Sequence, residues 1–222
     1  MLGALTTAAL VIFGILTTPH FFQAGASSWT GVAAALGVLL AYAAGGSRLA
    51  GTTASRMALP WALPLGLAAG AVYASEIGFE HAFLPQDNTG WGLIEFGAVF
   101  ALCLMSGVLV AAEQRRVWPG ALAGAWTAMI GSLIWYAALL AVTYAFQGSE
   151  AQAAIFRAEG DVEDFRRSGM SDFNVFMMQD FLGAGFFHLL LAPLAGLLLG
   201  SLGAIPAALV QRWRKSPAKS AG

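Results

Sequence analysis

The 222-residue chain is 58% hydrophobic and only 10% charged, whereas a soluble domain carries about 25% charged residues. This composition excludes a water-soluble globule, because it leaves too little polar surface to cover one. The net charge of −1 gives no basis for nucleic-acid binding, and a single cysteine excludes an intramolecular disulfide or a metal site built from cysteines. The composition therefore predicts an integral membrane protein.

Six apolar stretches are long enough, or nearly so, to cross about 30 Å of hydrocarbon. They predict an all-α, six-helix transmembrane bundle in a single domain over residues 1–222. The predicted spans are Leu2–Phe22, Trp29–Ala44, Met57–Ala74, Trp91–Ala112, Trp118–Phe146 and Phe181–Val210, of which the second is the shortest. The first stretch has an alternative interpretation as a cleaved signal peptide, since Ala24-Gly25-Ala26 resembles a cleavage site.

The basic residues are concentrated in alternate connections between the predicted spans. Most acidic residues fall in the other connections, Asp87 among them. Because basic loops face the cytoplasm, this pattern predicts that both termini are cytoplasmic (N-in/C-in). The basic residues on the predicted cytoplasmic side are Arg48, Arg56, Arg115, Arg116, Arg212, Arg214, Lys215 and Lys219.

One long connection, residues 148–180, is predicted to form an extracytoplasmic amphipathic helical insertion between the fifth and sixth helices. Its apolar residues recur at three- and four-residue spacing, which is typical of one helical stripe. The insertion is interpreted as a surface hairpin over the bundle or, alternatively, as a lid or docking surface for a partner. The stripe consists of Ile155, Ala158, Val162 and Phe165.

The local chemistry of this insertion predicts where its helices are supported. Arg157 and Asp161, and likewise Glu163 and Arg167, are four residues apart and are expected to pair on a helix surface. Ser171 is predicted to cap a further helix that runs into the last span.

Small residues recur every four positions in three spans, and prolines occur within or near the same helices. Such stripes allow close backbone approach, so they predict a tight bundle. Prolines are tolerated there only where neighbouring groups satisfy the freed carbonyls. The stripes are Gly66/Gly70/Ala74, Gly120/Gly124/Ala128/Ser132 and Ala192/Gly196/Gly200/Ala204.

His188 is the first candidate functional residue, because ionisable groups inside a membrane are expensive to bury. It precedes the small-residue stripe of the last span, so it is expected to face the bundle. There it is predicted to bind a metal or organic cofactor or to relay protons; the alternative is a hydrogen bond to a neighbouring helix. The sequence leaves the cofactor unknown.

A second candidate group, near the outer ends of spans three and four, consists of Glu76, Glu80, His81 and Glu95. Carboxylates and an imidazole suit a metal site or a cationic solute, and the alternative is a set of interfacial charges facing water. Glu95 is expected deepest in the membrane and in need of a partner. No catalytic sequence motif accompanies these residues, so no catalytic residue is assigned.

Residues 91–215 resemble a family of small bacterial polytopic membrane proteins of unknown function. The similar features are the turn Arg115-Arg116-Val117-Trp118-Pro119-Gly120, the outer Gly169-Met170-Ser171, and the glycine-rich closing span from Gly196 to Ala204. The resemblance implies a bacterial cytoplasmic (inner) membrane and no assigned activity.

These observations favour a non-catalytic accessory or scaffold subunit of a membrane assembly, in contact with the lipid bilayer and with a membrane protein partner. The alternative is a solute- or metal-binding membrane component of a transporter, with Glu80, Glu95 and His188 around an outer cavity. A membrane-embedded metalloenzyme is a third hypothesis.

Overall fold

The computed structural model describes residues 2–83 and 89–213, with the backbone alone for 82, 83 and 89. Within these two ranges the secondary structure is helical, without a strand. Asp87, Arg214, Lys215 and Lys219 of the charge pattern lie outside the described residues. The helices are α1 (Leu2–Thr17), a 3-10 turn (Phe21–Ala24), α2 (Ala26–Ala50), α3 (Thr53–Phe83), α4 (Thr89–Gln114), α5 (Val117–Ala145), α6 (Glu150–Glu159), α7 (Asp161–Ser168) and α8 (Phe173–Trp213).

Five helices are long and apolar enough to cross a membrane, namely α2, α3, α4, α5 and α8. The second predicted span, expected to be the shortest, belongs to a helix of 25 residues, whereas α1 has only 16. At a rise of 1.5 Å per residue, α1 extends about 24 Å, which is less than the hydrocarbon thickness. The structure thus shows a multi-pass helical bundle with five candidate spans.

Helix α1 packs along the second half of α5. Gly3 lies against the Leu133 side chain and Gly14 against Tyr144, so the two helices run in the same direction. The Tyr144 hydroxyl donates a hydrogen bond to the Leu10 carbonyl at 3.0 Å. Helix α1 therefore accompanies only the end of α5 that leads into α6.

Helix α5 is the centre of the bundle. Its residues 119–125 are buried without interruption, which requires neighbours on every side. A Cβ atom at Gly124 would collide with the Gly196 carbonyl oxygen and with Gly200 of α8. On its other side, Gly66 and Gly70 of α3 lie against Ile130 and Ile134. Glycine thus occupies the points where neighbouring helices come closest to α5.

A proline in α8 has its freed carbonyl satisfied from another helix. Pro193 has no N–H to bond the Leu189 carbonyl four residues earlier. Tyr42 of α2 supplies the missing donor, since its hydroxyl bonds that carbonyl and also contacts Ser132 Oγ at 3.4 Å. The expectation that neighbours compensate proline within the bundle is confirmed at this position.

The long connection differs in detail from its prediction. Gly160, at φ 91°, separates α6 from α7, so the apolar stripe is divided between two helices. Ile155 is buried, but Ala158 is exposed. The expected four-residue ion pairs are wrong. Gly160 separates Arg157 from Asp161, and within α7 the bonded pairs are three residues apart: Glu163–Arg166 and Asp164–Arg167.

The prediction that Ser171 caps the last long helix is also wrong, because Asp172 caps α8. Asp172 Oδ1 accepts hydrogen bonds from the backbone N–H groups of Asn174 and Val175, at 2.9 and 3.2 Å. Asp172 directly precedes the first helical residue, whereas Ser171 is one position too early to reach these amides. The continuous run of α8 from this cap into the last span is confirmed.

Candidate carboxyl pair and adjoining cavity

Two carboxyl groups from neighbouring spans meet inside the bundle. Glu76 lies five residues before His81, where its span ends, and Glu95 lies five residues after Gly90, where the next span begins. Each is therefore about 8 Å along the helix from the end of its span. The two carboxyl groups are close enough to share a hydrogen bond. Antiparallel packing of α3 and α4 brings them to the same depth.

Glu95 is buried, and one of its carboxyl oxygens lacks a hydrogen-bond partner among the described residues. It is only 6% exposed, and its Oε2 atom receives no hydrogen bond from a donor group in the described ranges. Ionised carboxylates only accept hydrogen bonds, so a bond between Glu76 and Glu95 requires a proton on one of them. The pair is thus suited to hold a proton, or to hold a cation in its place.

The histidine of the predicted metal group points away from the carboxyl pair. The His81 ring is buried, its Nδ1 bonds the Ile77 carbonyl at 2.8 Å, and the ring lies 5.2 Å from that of Phe146. Glu80 and Glu76 both interact electrostatically with Glu159 of α6. Residues 2–83 and 89–213 contain no group of three or more His, Cys, Asp or Glu arranged to hold a metal ion. The structure brings together Glu76 and Glu95 but separates them from His81.

His188 faces the bundle and contacts aromatic rings. Its ring stacks on Trp135 of α5 with centroids 4.0 Å apart and planes at 19°. The Tyr73 ring meets it edge-on at 5.7 Å. Tyr73 stands three residues before Glu76, on the same face of α3, and interacts electrostatically with it. The Tyr73 side chain therefore interacts both with His188 and with Glu76 of the carboxyl pair.

A cavity of about 300 Å³ lies beside Tyr73 and His188, between α3, α4, α5 and α8. Its wall is largely aromatic and aliphatic, with Tyr73, Ser132 and His188 as its polar members apart from Cys103. Phe96, the residue after Glu95, also lines it, with its ring 6.1 Å from that of Tyr73. A cavity of this size is at the lower end of what small-molecule sites require.

Sequence reasoning missed the aromatic residues Tyr73, Phe96 and Trp135. Tyr73 had a detectable pattern, because a residue three positions before Glu76 shares its helix face. Trp135 had none, since the contact between α5 and α8 that brings it to His188 depends on the register of two helices far apart in sequence.

Acidic residues of the long connection lie above the pair. Burial first, and then the charges of Asp161, Glu80 and Asp180, raise the pKa of Glu159 to about 7. Glu159 is nevertheless exposed by surface area, so solvent screens part of this repulsion. Burial and the charges of Asp180 and Asp164 raise the pKa of Asp161 to about 6. This end of the bundle, called the acidic end below, therefore favours protonated carboxyls and positive charge.

No family model matches the chain, and no curated protein or solved structure matches it at a significant level. The resemblance of residues 91–215 to a family of small polytopic proteins therefore stays a prediction.

Proposed function

We propose that the protein binds a small organic cation within the membrane and releases a proton as it does so, as the solute-binding component of a transport system. The observation that carries this proposal is the enclosed Oε2 atom of Glu95, which lacks a donor in the described residues while a second carboxyl, Glu76, lies beside it. A buried charge without a partner is expensive, so such an arrangement inside a span is typical of a binding site.

The proposed exchange conserves the charge of the site. Two ionised carboxylates in contact repel strongly in a poorly polarisable environment, so the empty pair holds one proton and a charge of −1. An ammonium ligand brings one positive charge and N–H donors for both carboxylates. One cation enters and one proton leaves, and the charge of the occupied site is again −1. The shared proton belongs to the pair rather than to either residue.

The surroundings favour an amphiphilic amine as the ligand. Tyr73 interacts electrostatically with Glu76, and its ring lies 6.1 Å from that of Phe96, so aromatic rings are near the carboxyl pair. A cation gains from contact with such rings. The cavity of about 300 Å³ beside His188 then takes the apolar part of the ligand. His188 is assigned a stacking role in this proposal, and its role as a cofactor ligand stays a prediction.

Benzylammonium is a suitable probe, with benzyl alcohol as the uncharged molecule of similar shape. Calorimetric titration at pH 7 in two buffers of different ionisation enthalpy measures both the affinity and the number of protons released. We expect one proton per benzylammonium bound and much weaker binding of benzyl alcohol. Glu95→Gln should weaken benzylammonium binding by about thirtyfold or more, because a charged hydrogen-bonding partner is lost in a buried site.

The matched control is Glu150→Gln, which removes an exposed carboxylate at the acidic end outside the site. It should leave affinity and proton release unchanged. Wild-type affinity in Glu95→Gln, equal binding of benzyl alcohol, or binding without proton release would each contradict the proposal.

We further propose that both termini face the cytoplasm of a bacterial inner membrane, with α1 completing a six-span arrangement together with the turn that follows it. The separation of charge supports the orientation, because the arginines in and next to the α2–α3 and α4–α5 connections lie at the end opposite the acidic one. The accessory-subunit hypothesis also stays a prediction; a protein partner recovered in fixed proportion from the native membrane would favour it over solute binding.

A further inference from the structure

The opposite end of the bundle, called the basic end below, contains a second cavity, of about 440 Å³. It lies where α3 and α5 begin and α8 ends, so three helices contribute to its wall. The guanidinium groups come from Arg116, directly before α5, and Arg212, one residue before the end of α8. The apolar wall is formed by Met57, Val117 and Pro119, with Trp118 at its side.

Both arginines of this cavity are available to a ligand. They are exposed, and in the described parts of the chain neither has an ion-pair partner, since the bonded pairs there belong to α7. The carboxylate of Glu113, on α4 at the same end, accepts a hydrogen bond from Trp61 Nε1 at 2.9 Å. The Arg56 guanidinium is directed to the Gly51 carbonyl at 3.2 Å. Two positive charges therefore converge on one cavity without a lining carboxylate.

The start of α5 adds donors to the same wall. Arg116 precedes the helix in an extended conformation, and no side chain caps the first turn. The amides of Val117 and Trp118, both lining residues, are among those that a helix leaves without an intrahelical acceptor. An anion held by the two arginines would also meet these N–H groups.

The chemistry of the wall matches a phospholipid rather than a free ion. Paired guanidinium groups recognise phosphate oxygens, and the apolar side suits the glycerol and upper acyl region. Trp118 is 59% exposed and Trp213 is 79% exposed, as is typical of tryptophans at the boundary between headgroups and hydrocarbon. Basic pockets between membrane helices are suited to anionic headgroups.

We propose that this cavity binds the headgroup of an anionic phospholipid, with Arg116 and Arg212 on the phosphate and Met57, Val117 and Pro119 against the glycerol region. This site shares no residue with the carboxyl pair or with the cavity beside His188.

The test titrates the delipidated full-length protein in detergent with phosphatidylglycerol or with phosphatidylcholine of the same acyl chains, and native mass spectrometry counts the bound lipids. We expect phosphatidylglycerol to bind at least about tenfold more tightly, and each of Arg116→Gln and Arg212→Gln to weaken it about fivefold. The control, Arg48→Gln, removes the same charge at the same end but outside the cavity and should leave the affinity unchanged. Thermal unfolding of each variant verifies that it is folded.

Three results would overturn the proposal. Equal affinity for the two lipids would mean that the headgroup charge is not recognised. An equal loss in Arg48→Gln would mean that the net charge of the basic end, rather than this cavity, attracts the lipid. Displacement of phosphatidylglycerol by millimolar inorganic phosphate would identify a free-anion site in place of a lipid site.

Discussion

The carbonyl of Leu189 shows how a single residue decides whether a proline can be placed inside a membrane helix. Without Tyr42, the oxygen freed by Pro193 would be a buried acceptor with no amide donor in its own helix. Water is not available there to replace the bond. The tyrosine hydroxyl thus stabilises α8 at the level of the cavity wall that contains His188 and Ser132.

We expect Tyr42→Phe to lower the free energy of unfolding by about 1 kcal/mol, because one buried carbonyl loses its donor. In a Pro193→Ala background the new amide restores the intrahelical bond, so the same tyrosine substitution should have a much smaller effect. Reversible unfolding in mixed micelles measures all four proteins of the cycle. Equal losses in the two backgrounds would show that Tyr42 acts through packing rather than through this hydrogen bond.

At the residue scale, the sequence predicted which ionisable side chain is buried better than it predicted which side chain lies next to it. Glu95 was expected to be deep and in need of a partner, because a carboxylate five residues into a span is expensive to bury. Glu76 and Glu80 share a face of α3, so the choice between them depends on the register of α3 against α4, in which they differ by about 6 Å. Whether His81 joins them depends on the direction of its side chain. Side-chain direction therefore required the three-dimensional structure.

At the scale of elements, the contact between α5 and α8 depends on the absence of side chains. Gly124, Gly196 and Gly200 bring the two backbones together, and a Cβ on any of them would meet backbone atoms. Because backbone cannot move aside as a flexible side chain can, even alanine is too large there.

We expect Gly124→Ala to destabilise the bundle by about 1–3 kcal/mol, the range typical of overpacking. Gly37 of α2 is the matched control, since an added Cβ there meets nothing within 4 Å. Gly37→Ala should be neutral or slightly stabilising, because alanine favours helix more than glycine does. Thermal unfolding in detergent compares the two, and an equal response would contradict the proposed role of close approach.

The α6–α7 segment should respond to pH through Glu159. Its pKa is raised by burial and neighbouring carboxylates to about 7 from an ordinary value of 4.5, so between these values the folded protein binds more protons than the unfolded chain. By linkage, stability then falls as the pH rises from 4.5 through 7.

Glu159→Gln removes this dependence at one position. We expect the variant to melt about 2 °C higher than the wild type at pH 8, and to differ little at pH 5, where the folded-state carboxyl is largely neutral. The melting temperature at both pH values checks this. Glu163→Gln, an exposed carboxylate paired with Arg166, is the control and should not gain stability at pH 8. A gain at pH 5 larger than at pH 8 would reverse the sign of the argument.

The long helices were predictable from the sequence because each contains a long apolar run. The apolar runs indicated all five long helices, and small residues at four-residue spacing marked faces that pack closely. The ends were less predictable: α2 and α3 extend beyond their apolar windows, because helical hydrogen bonding continues through Arg48 and through Glu76 to His81. The predicted apolar stripe did not indicate the break at Gly160, where a glycine in a left-handed conformation separates two helices.

At the scale of the whole molecule, a net charge of −1 conceals two oppositely charged ends. The arginines around Arg116 lie at the basic end and the carboxylates around Glu159 at the acidic end, with the membrane-spanning helices between them. The distribution, rather than the sum, determines how such a chain is oriented in a membrane.

Because Cys103 is the single cysteine and is buried, replacing it with alanine provides a background for labelling the two ends. Ser47→Cys and Ser168→Cys place exposed thiols at the basic and the acidic end, respectively. In intact cells, an impermeant maleimide should label the cysteine at position 168 but not the one at position 47. After permeabilisation both should react, and labelling of position 47 alone in intact cells would invert the proposed orientation.

The length of α8 has a mechanical consequence. Its 41 residues form one helix of about 60 Å, anchored to α5 near Gly196 and Gly200, so the anchor divides it into arms of about 38 and 22 Å. If α8 tilts by about 5° about this contact, arms of these lengths move the Asp172 end by about 3 Å and the Arg212 end by about 2 Å in the opposite direction. His188, on the longer arm, moves with it. Any tilt of α8 about this contact would therefore move the wall of the cavity beside His188 and that of the cavity beside Arg212 in opposite directions.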